Sequence, residues 1–205
     1  LNKLDEQNAI LKKDQQSFRK VGCNCWHAPE RIADCNKTDV DMQVLSTIPV
    51  LFSYWAEDAE CLKLSQFLND HIFHTVQENP EYFLGLGTIP MQNTDLAIQE
   101  MDRCINELKL PGIQIGSNIN GKNLSEEKFI PFFRHAEEIG CSIFVHPWEM
   151  MGQENMKRYW LPWLVGMPAE TSLAICSLIF SGVLEKYPKL KIAFAHGGGA
   201  FPFTL

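Results

Sequence analysis

The chain has 205 residues, 45% hydrophobic and 11% aromatic, which is enough apolar material for a buried core and too much for a disordered adaptor. Its formal charge of -7, with the cations scattered, leaves no basic field for a nucleic-acid backbone. No apolar run approaches the ~18–20 residues that span a bilayer and no N-terminal signal pattern is present, so a soluble cytosolic protein acting on a small molecule is expected. Seven cysteines, an odd number spread through core-like segments, fit reduced thiols better than a disulfide framework.

Residues 1–31 read as a less regular insertion or hairpin region, with helical character over 8–13 and a small hairpin over 17–26. Cys23, Cys25 and His27 lie close together, but three donors with no second ligand pair fall short of a structural zinc site. An apolar β-rich run over 40–49 is followed by helical spacing over 58–77, where Leu62, Leu64, Phe67, Leu68, Ile72 and Val76 recur. The next unit pairs a run over 83–90 with a helix over 95–108, capped by Thr94. A third pairs 112–116 with a helix over 125–139, whose Glu126 and Glu127 suit the helix dipole. A fourth contains a strand over 141–145, a long loop and a helix over 169–185. A last strand over 190–195 ends the series.

Five strand signals alternating with four helical ones predict a parallel sheet, because parallel neighbours need crossover connections. A doubly wound sheet satisfies the same pattern, but no Gly-rich fingerprint follows the first strand, and candidate functional groups follow several strands. The expectation is therefore an α/β fold of (β/α)8 barrel type. That fold typically takes ~250 residues, so the barrel is expected to be incomplete, lacking its first strand and its last two. The start at Leu1 and the apolar end around Phe201 and Phe203 agree with a fragment, 1–205 forming one partial barrel domain.

Two histidines stand apart from the other four. His146 closes Phe144-Val145-His146-Pro147-Trp148, and His196 closes Phe194-Ala195-His196 before Gly197, Gly198 and Gly199. Each ends an apolar strand just before a chain-breaker, which places an imidazole at the C-terminal mouth of a barrel. His71, His74 and His135 fit the solvent sides of their helices. Neutral imidazoles suit a catalytic metal that keeps an open position for water, and a second histidine within reach suits proton transfer. Two histidines alone cannot hold a catalytic zinc.

Further motifs carry a resemblance. Phe52-Ser53-Tyr54-Trp55, Gly85 to Gln92 (GLGTIPMQ), Pro111 to Gly116 (PGIQIG), His146-Pro147-Trp148, Tyr159 to Thr171 (YWLPWLVGMPAET) and His196 to Gly199 together resemble the decarboxylases of the amidohydrolase superfamily, from about Phe18 onward. The resemblance implies zinc-dependent, non-oxidative decarboxylation of a carboxymuconate semialdehyde in tryptophan catabolism, by a homodimer. In that family zinc is held by a His-x-His pair after strand one, a histidine after strand five and an aspartate after strand eight. His146 matches the strand-five ligand, and His196 matches the acid/base histidine after strand six. Arg19 matches the arginine that binds the substrate carboxylate, a role its planar fork suits. Lys13 aligns with a second cation near the substrate, and Trp160 and Met150 with residues that line the site. Glu149 stands where the family has an aspartate. No His-x-His occurs anywhere in the chain and no aspartate follows His196, so these residues alone are expected to bind zinc weakly or not at all. A related decarboxylase or hydrolase of the superfamily, or a truncated non-catalytic subunit, are the alternatives.

Overall fold

A computed structural model describes residues 2–13 and 16–204. It contains two compact units: one comprises Leu1–Val44 and Thr75–Leu84, the other Leu45–His74 and Gly85–Leu205.

The first unit opens with three antiparallel strands in the order β1 (Asn2–Lys3), β2 (Asn8–Lys13), β3 (Gln16–Gly22). Asp5 sets the reversal between β1 and β2, its carboxylate accepting from the Gln7 amide at 2.8 Å and from the Asn8 side chain at 3.0 Å. Residues 8–13 are thus extended rather than helical. Six residues are too few to nucleate a helix by themselves, whereas pairing with β3 satisfies their backbone groups. After a 3-10 turn at Cys23–Cys25 comes α1 (Ala28–Lys37), a helix the sequence pattern did not reveal; Pro29 in its first turn is compatible with a helix start. The 1–31 region is therefore a small antiparallel sheet whose β2–β3 pair supplies the expected hairpin, over residues 8–22 rather than 17–26, and which leads into a helix.

Three elements cross the boundary between the units. β4 (Gln43–Leu45) is shorter than the apolar run around it, because Pro49 opens a 3-10 turn at Pro49–Leu51. The others are α2 (Asp58–Glu78) and β5 (Phe83–Thr88).

In the second unit α3 (Thr94–Asp102) runs into a π turn at Arg103–Glu107. Its cap is Asn93 rather than Thr94: the Asn93 side chain accepts from the Leu96 amide at 3.2 Å, while the Thr94 hydroxyl donates to the Lys128 carbonyl at 2.8 Å. Next come β6 (Gly112–Gly116), the short antiparallel pair β7 (Asn118–Ile119) and β8 (Lys122–Asn123), and α4 (Ile130–Glu138), which a 3-10 turn at Glu127–Phe129 introduces. β9 (Ser142–His146) is followed by a loop, a π turn at Pro162–Gly166 and α5 (Met167–Phe180). Gly182, with φ +75°, separates α5 from α6 (Val183–Lys186), so the helix expected over 169–185 is two helices. β10 (Lys191–Phe194) completes the series.

The principal sheet has the order β10-β9-β6-β5-β4, with β5, β6, β9 and β10 mutually parallel. Strand order follows chain order without reversal, so the sheet has no internal switch point of the kind that marks doubly wound folds. β6 is buried at every position, as befits a central parallel strand covered on both faces. Ile113, Ile115, Ile143 and Val145 from the sheet belong to the core of this unit with Met101, Phe129, Phe132 and Phe133.

Helix 162–180 departs from expectation in another way. Its π and α segments join Pro162–Phe180 into 19 continuous residues, long and apolar enough to cross a membrane by length and composition, where the sequence showed no such run. The helix begins at Pro162 instead of residue 169, adding the apolar loop residues Trp163, Leu164 and Val165 to its length. Its single carboxylate, Glu170, is buried in the second unit.

Candidate functional site

The C-terminal ends of β6, β9 and β10 bring the candidate groups together. His146 is the last residue of β9, and on β6 it stands in register with Gly116. The Gly116 amide donates to the Tyr54 hydroxyl at 3.0 Å, and a Cβ on Gly116 would lie 3.1 Å from the Tyr54 ring, so that position admits glycine without displacing the tyrosine. On the other side β10 pairs Phe194 with Val145, which sets Ala195, not His196, opposite His146.

His196 lies one residue beyond that register and would point to the opposite face of an extended strand. It instead takes a left-handed conformation, φ +55°, followed by Gly197, Gly198 and Gly199 at φ +63°, +83° and +64°. This turn re-aims the imidazole, and the His146 and His196 ring centroids come within 4.9 Å in an edge-to-face arrangement at 78°. A non-glycine residue at positive φ costs about 1–3 kcal/mol, and such strain concentrates at functional sites.

Each ring is prepared differently. His146 Nδ1 is 2.9 Å from the Pro147 carbonyl oxygen, which can only accept, so Nδ1 carries the proton and Nε2 presents its lone pair. Burial holds the His146 imidazole below its ordinary pKa, with repulsion from His196 in the same direction and the Pro147 hydrogen bond opposing both. A neutral imidazole with a free Nε2 has the form a metal ligand requires. His196 is exposed and stands beside it as a group able to exchange protons with a bound molecule. Among the described residues no group of three or more histidine, cysteine, aspartate or glutamate side chains is placed to hold a metal ion. The two imidazoles therefore fall short of a complete catalytic metal site on their own.

The remaining candidates are distributed unevenly. Arg19 is exposed on β3 of the first unit, opposite Leu11 on β2, and the Lys13 side chain lies outside the described residues. Trp160, expected to line the site, is 68% exposed; its ring packs on Trp163 at 4.9 Å. Left-handed conformations at Tyr159 and Trp160, just before Pro162 starts the helix, accompany this outward placement. Met150 is buried, and a Cβ built on Gly166 would meet its Cβ at 3.2 Å, so it packs against that glycine. His71 and His74 are exposed, as expected, but His135 is half-buried and bonds Asp102 at 2.8 Å. All seven cysteines are free thiols, Cys23, Cys25 and Cys35 included.

Sequence reasoning missed Glu170, Ser117 and Asn118. Glu170 is buried at 3% exposure and receives Ser117 Oγ at 3.1 Å, Asn118 Nδ2 at 2.9 Å and the Met151 amide at 3.0 Å. The available signal was its solitude: it is the one charged residue in the apolar helix Met167–Phe180.

Over 96% of its length the chain is 58% identical to 2-amino-3-carboxymuconate-6-semialdehyde decarboxylase of Dictyostelium discoideum, and it spans 55% of that relative. Among solved structures, 5-carboxyvanillate decarboxylase from Sphingomonas paucimobilis superposes on 86% of the chain with a TM-score of 0.78 and 34% identity, the match covering 53% of that protein. The enzyme of the same name from Novosphingobium aromaticivorans, crystallised with manganese and 4-hydroxy-3-methoxy-5-nitrobenzoic acid, matches 85% of the chain and 50% of its own at a TM-score of 0.77 and 32% identity. The amidohydrolase family model matches residues 22–203, and the chain belongs to that family.

Proposed function

We propose that this chain is part of a metal-dependent decarboxylase that converts 2-amino-3-carboxymuconate 6-semialdehyde to 2-aminomuconate 6-semialdehyde, within tryptophan catabolism by the kynurenine route. The observation that carries this reading is the His146–His196 pair, two imidazoles 4.9 Å apart at the ends of adjacent parallel strands, in a chain 58% identical to a relative of that name. The unreversed strand order supports a partial (β/α)8 barrel as the framework.

In this reading His146 Nε2 would be one ligand of a divalent metal, zinc by resemblance, the family's His-x-His pair and later aspartate having no counterpart among these residues. His196 holds the proton that replaces the departing carboxylate on carbon, a role for which an exposed imidazole beside the reaction centre is suited. Arg19 and Lys13 serve the substrate carboxylates. The protein acts as a cytosolic homodimer on a small molecule, away from membranes and nucleic acid.

The test compares the 205-residue chain with the same chain extended by the flanking segments of the Dictyostelium relative. The extended chain is expected to release carbon dioxide from the substrate, and His196→Asn in it to slow release about 10²–10⁴-fold. A folded, metal-loaded extended chain that gives a hydrolysis product or no carbon dioxide would overturn the reading. The 205-residue chain is expected to hold no stoichiometric zinc after dialysis; tight zinc at one per chain would show that its own residues complete the site.

A further inference from the structure

The first turn of α5 touches the segments that follow both histidines, and we propose that Glu170 is a positioning residue that orients the His146 ring. This rests on reading His146 and His196 as the working pair and deepens that reading; it depends on neither the substrate nor the metal.

The Glu170 carboxylate is the root of a branching set of hydrogen bonds. Glu170 Oε1 accepts from Ser117 Oγ and Asn118 Nδ2, at 3.1 and 2.9 Å, while Oε2 accepts from the Met151 amide at 3.0 Å. Ser117 Oγ, its proton given to Glu170, accepts from the Trp148 amide at 3.4 Å. Asn118 Nδ2 donates its other proton to the Trp148 carbonyl at 2.9 Å. Residues 148–151 are thus held at both backbone polar groups of Trp148 and at the Met151 amide.

The Trp148 amide and the Pro147 carbonyl belong to one peptide plane, which is rigid. One end of that plane is fixed by Ser117, and the other accepts the Nδ1 proton of His146 at 2.9 Å. Orientation passes from Glu170 through Ser117 to this plane and so to the imidazole, selecting the tautomer that frees Nε2. The hydrogen-bond polarity demands an acceptor-only group at position 170. Asn118 cannot flip to accommodate an amide there, because its Oδ1 accepts from the Gly121 amide at 3.0 Å while its Nδ2 serves Trp148.

The same helix turn seats the other histidine's segment. The Ala200 amide donates to the Pro168 carbonyl at 3.2 Å, and a Cβ on Gly199 would fall 2.4 Å from that oxygen. Residues 168–171 therefore dock the chain beyond His146 through Glu170 and the chain beyond His196 through Pro168.

The test is long-range proton–nitrogen NMR of the 205-residue chain labelled with ¹⁵N-histidine, at about pH 8, above the ordinary imidazole range. In the unmodified chain His146 is expected to be protonated at Nδ1. Glu170→Gln should raise the Nε2-protonated form of His146 several-fold while the His135 signals stay in place as a reporter of the fold. A folded Glu170→Gln chain whose His146 tautomer is unmoved overturns the proposal. Should that variant lose the fold, Ser117→Ala decides: it keeps the carboxylate and removes the hydroxyl that links it to the Trp148 amide, and an unmoved tautomer there overturns the proposal equally. A tautomer shift in a chain whose extended form releases no carbon dioxide removes the decarboxylase reading and leaves the role of Glu170 standing.

Discussion

Gly199 shows how little freedom the site leaves at single residues. Its φ of +64° with ψ -130° is a conformation that L side chains rarely adopt, and an added Cβ would meet the Pro168 carbonyl oxygen at 2.4 Å and Thr171 Cβ at 2.8 Å. Both faults act together in Gly199→Ala, which is expected to cost about 2 kcal/mol or more in stability, measured as a lower denaturant midpoint. Cys141 gives a pH dependence of definite sign. Burial pushes its thiol from 9.0 up to about 12, so the folded state favours the protonated form. That contribution is whole below pH 9, and it is lost as pH rises from about 9 towards about 12. Denaturant unfolding across this window should show a smaller alkaline loss for Cys141→Ala than for the unmodified chain. His146 and His196 were legible in the sequence because each sits where an apolar strand meets a chain-breaker. Glu170 was not, since its value lies in contacts with Ser117 and Asn118 more than fifty positions earlier, which no local pattern encodes.

Among elements, α2, α3 and β5 are joined by a polar knot that periodicity could not reveal. Buried Asn69 on α2 donates to the Thr88 carbonyl at 2.9 Å and accepts from the Thr88 amide at 2.7 Å, tying both backbone groups at the end of β5. It also donates to Glu100 on α3 at 2.7 Å, and Glu100 pairs with Arg103 at 2.9 Å. Asn69→Ala strands several of these groups at once, and about 3 kcal/mol of destabilisation is expected in equilibrium unfolding. The β5, β6, β9 and β10 strands were legible because buried parallel strands read as short apolar runs. The errors fell where local signals compete. Residues 8–13 carry helix-compatible types but are claimed by a strand partner, and Asn93 outcompetes Thr94 as cap because the Thr94 hydroxyl is engaged by Lys128.

For the molecule as a whole, the second unit's exposed apolar surface is its most consequential property. Phe180, at the end of α5, is 83% exposed, and Leu164, Val165 and Ile179 of the same continuous helix are exposed as well. β10 ends the sheet, with β9 as its one neighbour among the described residues. Exposed apolar surface of this kind favours self-association. Light scattering of the 205-residue chain is expected to show concentration-dependent association, which Phe180→Lys reduces; scattering unchanged by that substitution would place the contact elsewhere. The α/β class and the parallel sheet were legible in the alternation of apolar runs and helical spacing, whereas exposure depends on which faces the chain covers and leaves no trace in periodicity.

The single helix turn at 168–171 couples two positions in heredity as well as in geometry. Because Glu170 and Gly199 act on the same turn, Glu170→Gln and Gly199→Ala release overlapping constraints, and their free-energy costs should sum to more than the double substitution costs. Once either position has changed, selection on the other is relaxed, so the two are expected to drift as a linked pair rather than as independent sites.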